Sequence, residues 1–377
     1  DITVVFQGAF SAHLGEDRID FNDNIKSLRK ILPGVKIILS TWEGTYVPEK
    51  FKFDEIVYSK DPGGLSGIKR KEVDKANNIN RQIISTYNGL RAVNTTYALK
   101  LRTDCSLEHA GFIDYFKKFN KGEERFIACC FFTIDPEVYE HMPFHISDWF
   151  QFGKTETLLK YWDVPLMGKE EAAWYLSNEY DKSSSYFDKE FLSKFAVEQY
   201  LAINYAKRFG YITPSYHNDD AEPVLDSHRQ FLAKQVIILD PWQIGLSFPK
   251  YYWAYSSKFS SMNCIMFLDW YKNYVEYENI KFVTNAGKNY EALMETMTNG
   301  RTYVQIGGEE ILRIVQMDEN NRRNRVIEFD KKNKQWHVHQ GYLHSENSEN
   351  QHDPLSISDV RLLEKVKKIW HNHREQI

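Results

Sequence analysis

Arg102-Thr103-Asp104 is the triplet around which chemistry is expected. It closes an apolar-alternating run, Tyr97-Ala-Leu-Lys-Leu-Arg102, that reads as a buried strand. In open α/β sheets ligands sit just beyond the carboxyl ends of the strands. Asp104 is short and acidic, which suits a divalent metal, manganese or magnesium, carrying phosphates. Arg102 suits the phosphates themselves, because its planar fork matches their oxygens. Alone, the triplet would also serve as a surface ion pair of little energetic weight. Three other polar tips precede it in the same half of the chain: Gln7-Gly8, Thr41-Trp42-Glu43, and a helix start containing Asn80 and Arg81. A helix N-terminus with unpaired N–H groups is an anion seat. Gln7 has the chemistry to read a base edge or to close a turn, and Trp42 to stack a base or pack under the sheet. Gln, Asn, Arg and Asp converging without a Ser or Cys nucleophile point to a bound nucleotide diphosphate rather than to nucleophilic hydrolysis.

A second cluster is Ser147-Asp-Trp-Phe-Gln-Phe152. Asp148 is a candidate base for a sugar hydroxyl, and Trp149 and Phe150 are candidate stacking surfaces for an acceptor. Glu198, on a helix, is the alternative base. There is no GxxxxGK[ST], HExxH or GxSxG, and Gly8 stands alone, so no dinucleotide fingerprint is present. His337 and His339 share a strand face without a third ligand and read as structural. The four cysteines have no metal or disulfide spacing and fit a reducing compartment.

These groups need a scaffold. A β-branched run at 2–6, apolar runs at 35–40 and 54–58 and the apolar-alternating run at 97–102 alternate with helical spacing at 20–32 and 77–93. The pattern predicts an α/β domain with a largely parallel sheet over residues 1–245. A helix 110–119 and a strand 125–132 follow, then helices at 155–161 (with Thr155 as N-cap), 170–180 and 188–208, and a strand 231–240. Residues 246–345 read as an aromatic and β-rich module. Residues 346–377 read as a polar linker and a terminal amphipathic helix whose Lys/Arg face is solvated or lies on a membrane surface. The 377 residues, 42% apolar, suffice for a large core. A net charge of −4 argues against nucleic-acid binding. Neither a signal peptide nor a membrane span is expected.

Several pieces together resemble the WavE family of bacterial lipopolysaccharide and capsule synthesis proteins. They are Val4-Val-Phe-Gln-Gly8, Ser40-Thr-Trp-Glu43, Asn80-Arg-Gln-Ile-Ile-Ser-Thr86 with Gly89-Leu90, Leu99-Lys-Leu-Arg-Thr-Asp104, Ser147-Asp-Trp-Phe-Gln-Phe-Gly153 and Glu198-Gln-Tyr-Leu201. The resemblance spans roughly residues 2–210 and implies a GT-A-like, Rossmann-type transferase using a nucleotide-activated donor. That fold usually carries Asp-x-Asp where this chain has Arg102-Thr103-Asp104, so a guanidinium replaces one metal-binding carboxylate. The expected activity is inverting sugar transfer to a glycan or lipid-linked oligosaccharide acceptor. It is expected in the cytoplasm, at the inner face of the membrane, with peripheral association. Two alternatives stand beside it: transfer of ribitol or glycerol phosphate from a CDP-activated donor, and a glycan-binding assembly subunit without turnover.

Overall fold

In a computed structural model of the chain, the described residues are 1–14, 19–72, 74–122, 124–137, 140–184, 188–251, 254 and 263–278, together with the backbone of four later strands. The chain divides into two compact units: 1–136 with 140–250 and 265–280, and 137–139 with 251–264 and 281–377.

The first unit opens with β1 (Ile2–Gln7), whose Val4, Val5 and Phe6 are buried. Two short strands, β2 (His13–Leu14) and β3 (Ile19–Asp20), pair antiparallel. They lead into α1 (Phe21–Ile31), capped by the Asp20 carboxylate accepting from Asn22 N. Pro33 and Gly34 then stop that helix, with Gly34 at φ +78°. β4 (Lys36–Trp42) and β5 (Glu55–Ser59) follow. α2 (Ile79–Arg91) starts where Asn77 Oδ1 accepts from Ile79 N. It packs so closely on the sheet that a Cβ on Gly89 would lie 2.6 Å from Val5 Cγ1 and 2.8 Å from Ser40 Cβ. Ser40 Oγ donates to Ser85 O of the same helix.

β6 (Tyr97–Arg102) and the short β7 (Ser106–Leu107) come next, then α3 (Phe112–Asn120), β8 (Phe126–Cys129) and β9 (Phe150–Lys154). α4 (Thr155–Trp162), α5 (Lys169–Ala172), α6 (Val197–Lys207) and α7 (Glu222–Gln235) lead to β10 (Val236–Leu239). α8 (Pro241–Ile244), β11 (Leu246–Ser247) and α9 (Phe267–Tyr277) complete the unit. The main sheet has seven strands in the order β10-β8-β9-β6-β1-β4-β5. Only β9 runs antiparallel to its neighbours, so the expected largely parallel sheet flanked by helices is the one observed. None of the four cysteines is in a disulfide, and all are buried.

Three expected elements differ. The helix over 170–180 shrinks to α5 and one 3-10 turn, because Tyr175 N donates across to Leu192 O instead of up a helix. The helix over 188–208 begins only at Val197, because Leu192 N is drawn to Ile68 O. The strand at 231–240 is helical to Gln235, since Val224, His228, Phe231 and Leu232 bury one face of α7. Thr155 is not a cap: its hydroxyl donates to Thr95 O.

In the second unit, β12 (Thr302–Gly307), β13 (Ile311–Met317), β14 (Arg323–Asp330) and β15 (Gln335–Gln340) form an antiparallel meander. His337 and His339 fall on β15. The polar linker and terminal helix expected over 346–377 lie outside the described residues. Among those described, no helix is long and apolar enough to cross a membrane.

Candidate active site

Parallel pairing in register sets the site. Gln7 lies opposite Arg102 on one side and Ser40 on the other, so β1 and β6 end level and β4 runs two residues further, to Trp42. The chain then turns at Gly8, whose φ of +123° suits glycine alone. Gly8 N donates to Ser40 O (3.1 Å) and Thr103 N donates to Gln7 O (3.2 Å). Thr103 Oγ1 donates to Ala9 O, and Cys105 N closes back on Arg102 O. Asn24 of α1 ties the turn down by donating to Cys105 O at 2.9 Å.

These tips surround a cleft of about 530 Å³, lined by Gln7, Gly8, Trp42, Arg81, Arg102 and Asp104, with Asp61 and Gln82 beside them. Ligand sites commonly span about 300–1,000 Å³. The Oε1 atoms of Gln7 and Gln82 are buried and have no hydrogen-bond partner among the described residues. A buried acceptor without a donor is costly, and a ligand N–H would relieve it.

Arg102 is the hub. Its Nε and Nη2 fork onto the two Asp104 oxygens at 3.0 and 3.1 Å, and its guanidinium lies 5.1 Å from the Phe248 ring centre. Its Nη1 faces Asp148 Oδ1 at 4.0 Å. Burial works against its charge, but Asp148 and Asp104 outweigh burial and hold the guanidinium protonated. Two residues back, on the same face of β6, Lys100 is wholly buried. Its ammonium donates to Asp148 O, meets Asp148 Oδ2 at 3.3 Å and sits over Trp162. Burial pulls the Lys100 ammonium below its usual range, with Asp148 opposing. Burial would raise the Asp148 carboxyl, but Lys100 and Arg102 hold it below the usual carboxylate range.

Several sequence expectations need correction. Asp148 is 1% exposed and bound to Lys100, so it is not presented to an acceptor. Trp149 and Phe150 are core rather than stacking platforms: Trp149 packs edge-on to Phe248 and Phe150 to Phe112. Arg81 lines the cleft with its donors already engaged: Nε and Nη2 grip Asp61, both at 2.8 Å, and Nη1 donates to Asn78, so a phosphate reaches it only by displacing these partners. Asn80 is a clamp, donating to Met167 O and accepting from Met167 N. Thr41 is buried behind the tip, and Glu43 is exposed beyond the cleft lining.

Glu198 differs from Asp148. It sits in the first turn of α6 with its side chain 26% exposed, and its Oε2 lies 3.4 Å from His145 Nε2. Burial, then the charge of Asp148, pushes its carboxyl up to about 7. Sequence reading passed over His145, an isolated histidine in an irregular stretch, and over Lys100, whose place between Leu99 and Leu101 gave no sign of burial.

Both Asp104 oxygens are engaged by Arg102, and among the described residues no three His, Cys, Asp or Glu side chains converge. This donor set does not fit a protein-held metal.

Fold and cleft together define an α/β protein with a polar cleft at the carboxyl edge of its sheet. The model of the WavE lipopolysaccharide synthesis family matches residues 2–298. The chain belongs to that family. No curated protein matches it significantly. Among solved structures it is similar to the galactosyltransferase LgtC in complex with donor and acceptor sugar analogs, at 8% identity over 64% of this chain and 74% of that one, with a TM-score of 0.28. It is also similar to HddC from Yersinia pseudotuberculosis, at 12% identity over 42% and 79%, TM-score 0.26. A third likeness is to 4-diphosphocytidyl-2C-methyl-D-erythritol synthase from Anaerococcus prevotii, at 10% identity over 61% and 97%, TM-score 0.26. At TM-scores this low the likenesses carry no weight, and the assignment rests on the family match.

Proposed function

We propose that the chain is a glycosyltransferase that moves a sugar from a nucleotide-activated donor to a growing bacterial surface glycan, with inversion. The observation that carries this is the single cleft joining Gln7, Gly8, Trp42, Arg102 and Asp104 at the ends of neighbouring strands. The Gln7 amide oxygen takes an N–H of the base, and Trp42 offers a ring face. The donor diphosphate competes with Asp104 for the Arg102 fork. A guanidinium there supplies part of the charge neutralisation that a leaving diphosphate needs.

Glu198 is the base in this reading. A base works best when it titrates near neutrality, where burial and Asp148 push Glu198, whereas Lys100 and Arg102 hold Asp148 below the usual carboxylate range as an anchor. The acceptor oxygen attacks the anomeric carbon and its proton passes to Glu198. The bond from that carbon to the phosphate oxygen breaks, and the nucleoside diphosphate leaves. The acceptor is a glycan or lipid-linked oligosaccharide. Membrane association is peripheral, at the cytoplasmic face.

The test is a transfer assay over a panel of nucleotide-sugars, reading the nucleotide released. A nucleoside diphosphate is expected. Glu198→Gln should lower turnover about 100- to 10,000-fold. Release of CMP with a phosphodiester in the product would replace this reading with alditol-phosphate transfer. Glycan binding without any donor binding would mark an assembly subunit.

A further inference from the structure

His145 is buried beside Asp148 and Glu198 yet has no part in the proposed transfer. Its Nδ1 lies 3.0 Å from Phe132 O. A carbonyl oxygen only accepts, so Nδ1 carries the hydrogen, and in the neutral ring Nε2 carries the lone pair. That Nε2 faces Glu198 Oε2 at 3.4 Å. A lone pair and an ionised carboxylate oxygen at that separation repel, so the arrangement is satisfied only when one proton lies between them.

The pairing is built in from both sides. Gln199, next to Glu198, donates to Pro143 O (2.9 Å) and to His217 O (2.8 Å), and accepts from Ala196 N. This pins the start of α6 against the segment carrying His145. Ser147 Oγ donates to Phe131 O, which holds the same segment against the turn after β8 that supplies Phe132. The surrounding charges are Asp148, Arg102 and Lys100 around Glu198, with the neutral Tyr161 phenol, and Glu140, Asp148 and Lys69 around His145. Burial is the largest influence on both partners, pushing Glu198 up and His145 down, so a neutral acid facing a neutral ring is the favoured state.

We propose that His145 and Glu198 form one acid–base unit sharing a single proton, with His145 as the positioning residue that governs when the Glu198 carboxylate is open to an acceptor hydroxyl. The proposal rests on reading Glu198 as the base. The unit releases its shared proton to solvent through the exposed part of Glu198, and during turnover it takes the acceptor's hydroxyl proton. Such a pair titrates as a unit rather than as two residues.

The test compares the pH dependence of kcat in the wild type, His145→Gln and Glu198→Gln. A glutamine amide donates to the carboxylate and so favours its ionised form. His145→Gln should therefore move the acidic limb down by about one pH unit or more, with kcat on the plateau falling no more than about tenfold. An unmoved limb in a folded His145→Gln protein overturns the shared proton and leaves Glu198 as base intact. Wild-type turnover in Glu198→Gln overturns the base reading and the unit with it. An independent reading needs no variant at position 145: the 15N shift of His145 Nε2 in labelled wild-type protein should change with the midpoint of the rate limb. In Glu198→Gln that change should vanish, and its persistence there would also overturn the unit.

Discussion

Lys100 and Asp148 show how the charges at this site depend on one another. A wholly buried ammonium is tolerable because Asp148 compensates it, and Asp148 stays ionised because Lys100 and Arg102 flank it. Removing one member of a buried pair leaves the other uncompensated. Asp148→Asn should therefore cost about 3–5 kcal/mol of stability, measured by urea unfolding. A variant as stable as wild type would show that the pair is not dry. Glu198 gives a second residue-scale expectation. Its carboxyl titrates at about 7 in the fold against an ordinary 4.5, so the fold favours the protonated form. The stability this contributes is complete below about pH 4.5 and is lost as pH rises through about 7. Glu198→Gln removes that loss. The stability of the variant minus that of wild type should climb by something on the order of 1–3 kcal/mol between those pH values. The difference is the quantity to measure, because His217 and His228, kept neutral by burial, tilt stability the opposite way.

At the scale of elements, α2 and the turn after β6 bring the site together. The helix lies against β1 and β4 through Gly89, leaving no room for a methyl group. Gly89→Ala gains about 1 kcal/mol of helix propensity but overpacks the interface by about 1–3 kcal/mol. The melting temperature should fall by a few degrees, with cleft binding weakened; an unchanged or higher value would mean that α2 slides without penalty. Most of this architecture was legible beforehand. The β-branched runs of β1 and β4, the apolar alternation of β6 and the spacing of α1 and α2 each point to one element, and ends of parallel strands are where ligands collect. What escaped was decided by distant partners. Tyr175 leaves a helical pattern because Leu192 O is available, Arg81 is claimed by Asp61 across a loop, and Asn80 turns inward to Met167. Trp149 and Phe150 are aromatic for the core's sake, and composition alone does not separate a stacking surface from a packed ring.

For the molecule as a whole, the proposed reading makes the sheet edge the donor side and the buried ion network beneath it the reaction side. Arg102 belongs to both, lining the cleft while facing Asp148 behind it. Glu198 is not among the cleft-lining residues, so donor binding and proton transfer should separate by mutation. The central claim is that a phosphate-bearing donor occupies the cleft and is held by Arg102. The most direct measurement is a thermal-shift titration with UDP, CDP, CMP, GDP and dTDP, with manganese and with EDTA, on wild type, Arg102→Ala and Glu198→Gln. A nucleoside diphosphate should raise the melting temperature of wild type and Glu198→Gln alike, and Arg102→Ala should weaken that binding about tenfold or more. Indifference of the wild type to every nucleotide, or full retention of the shift in Arg102→Ala, would contradict the account.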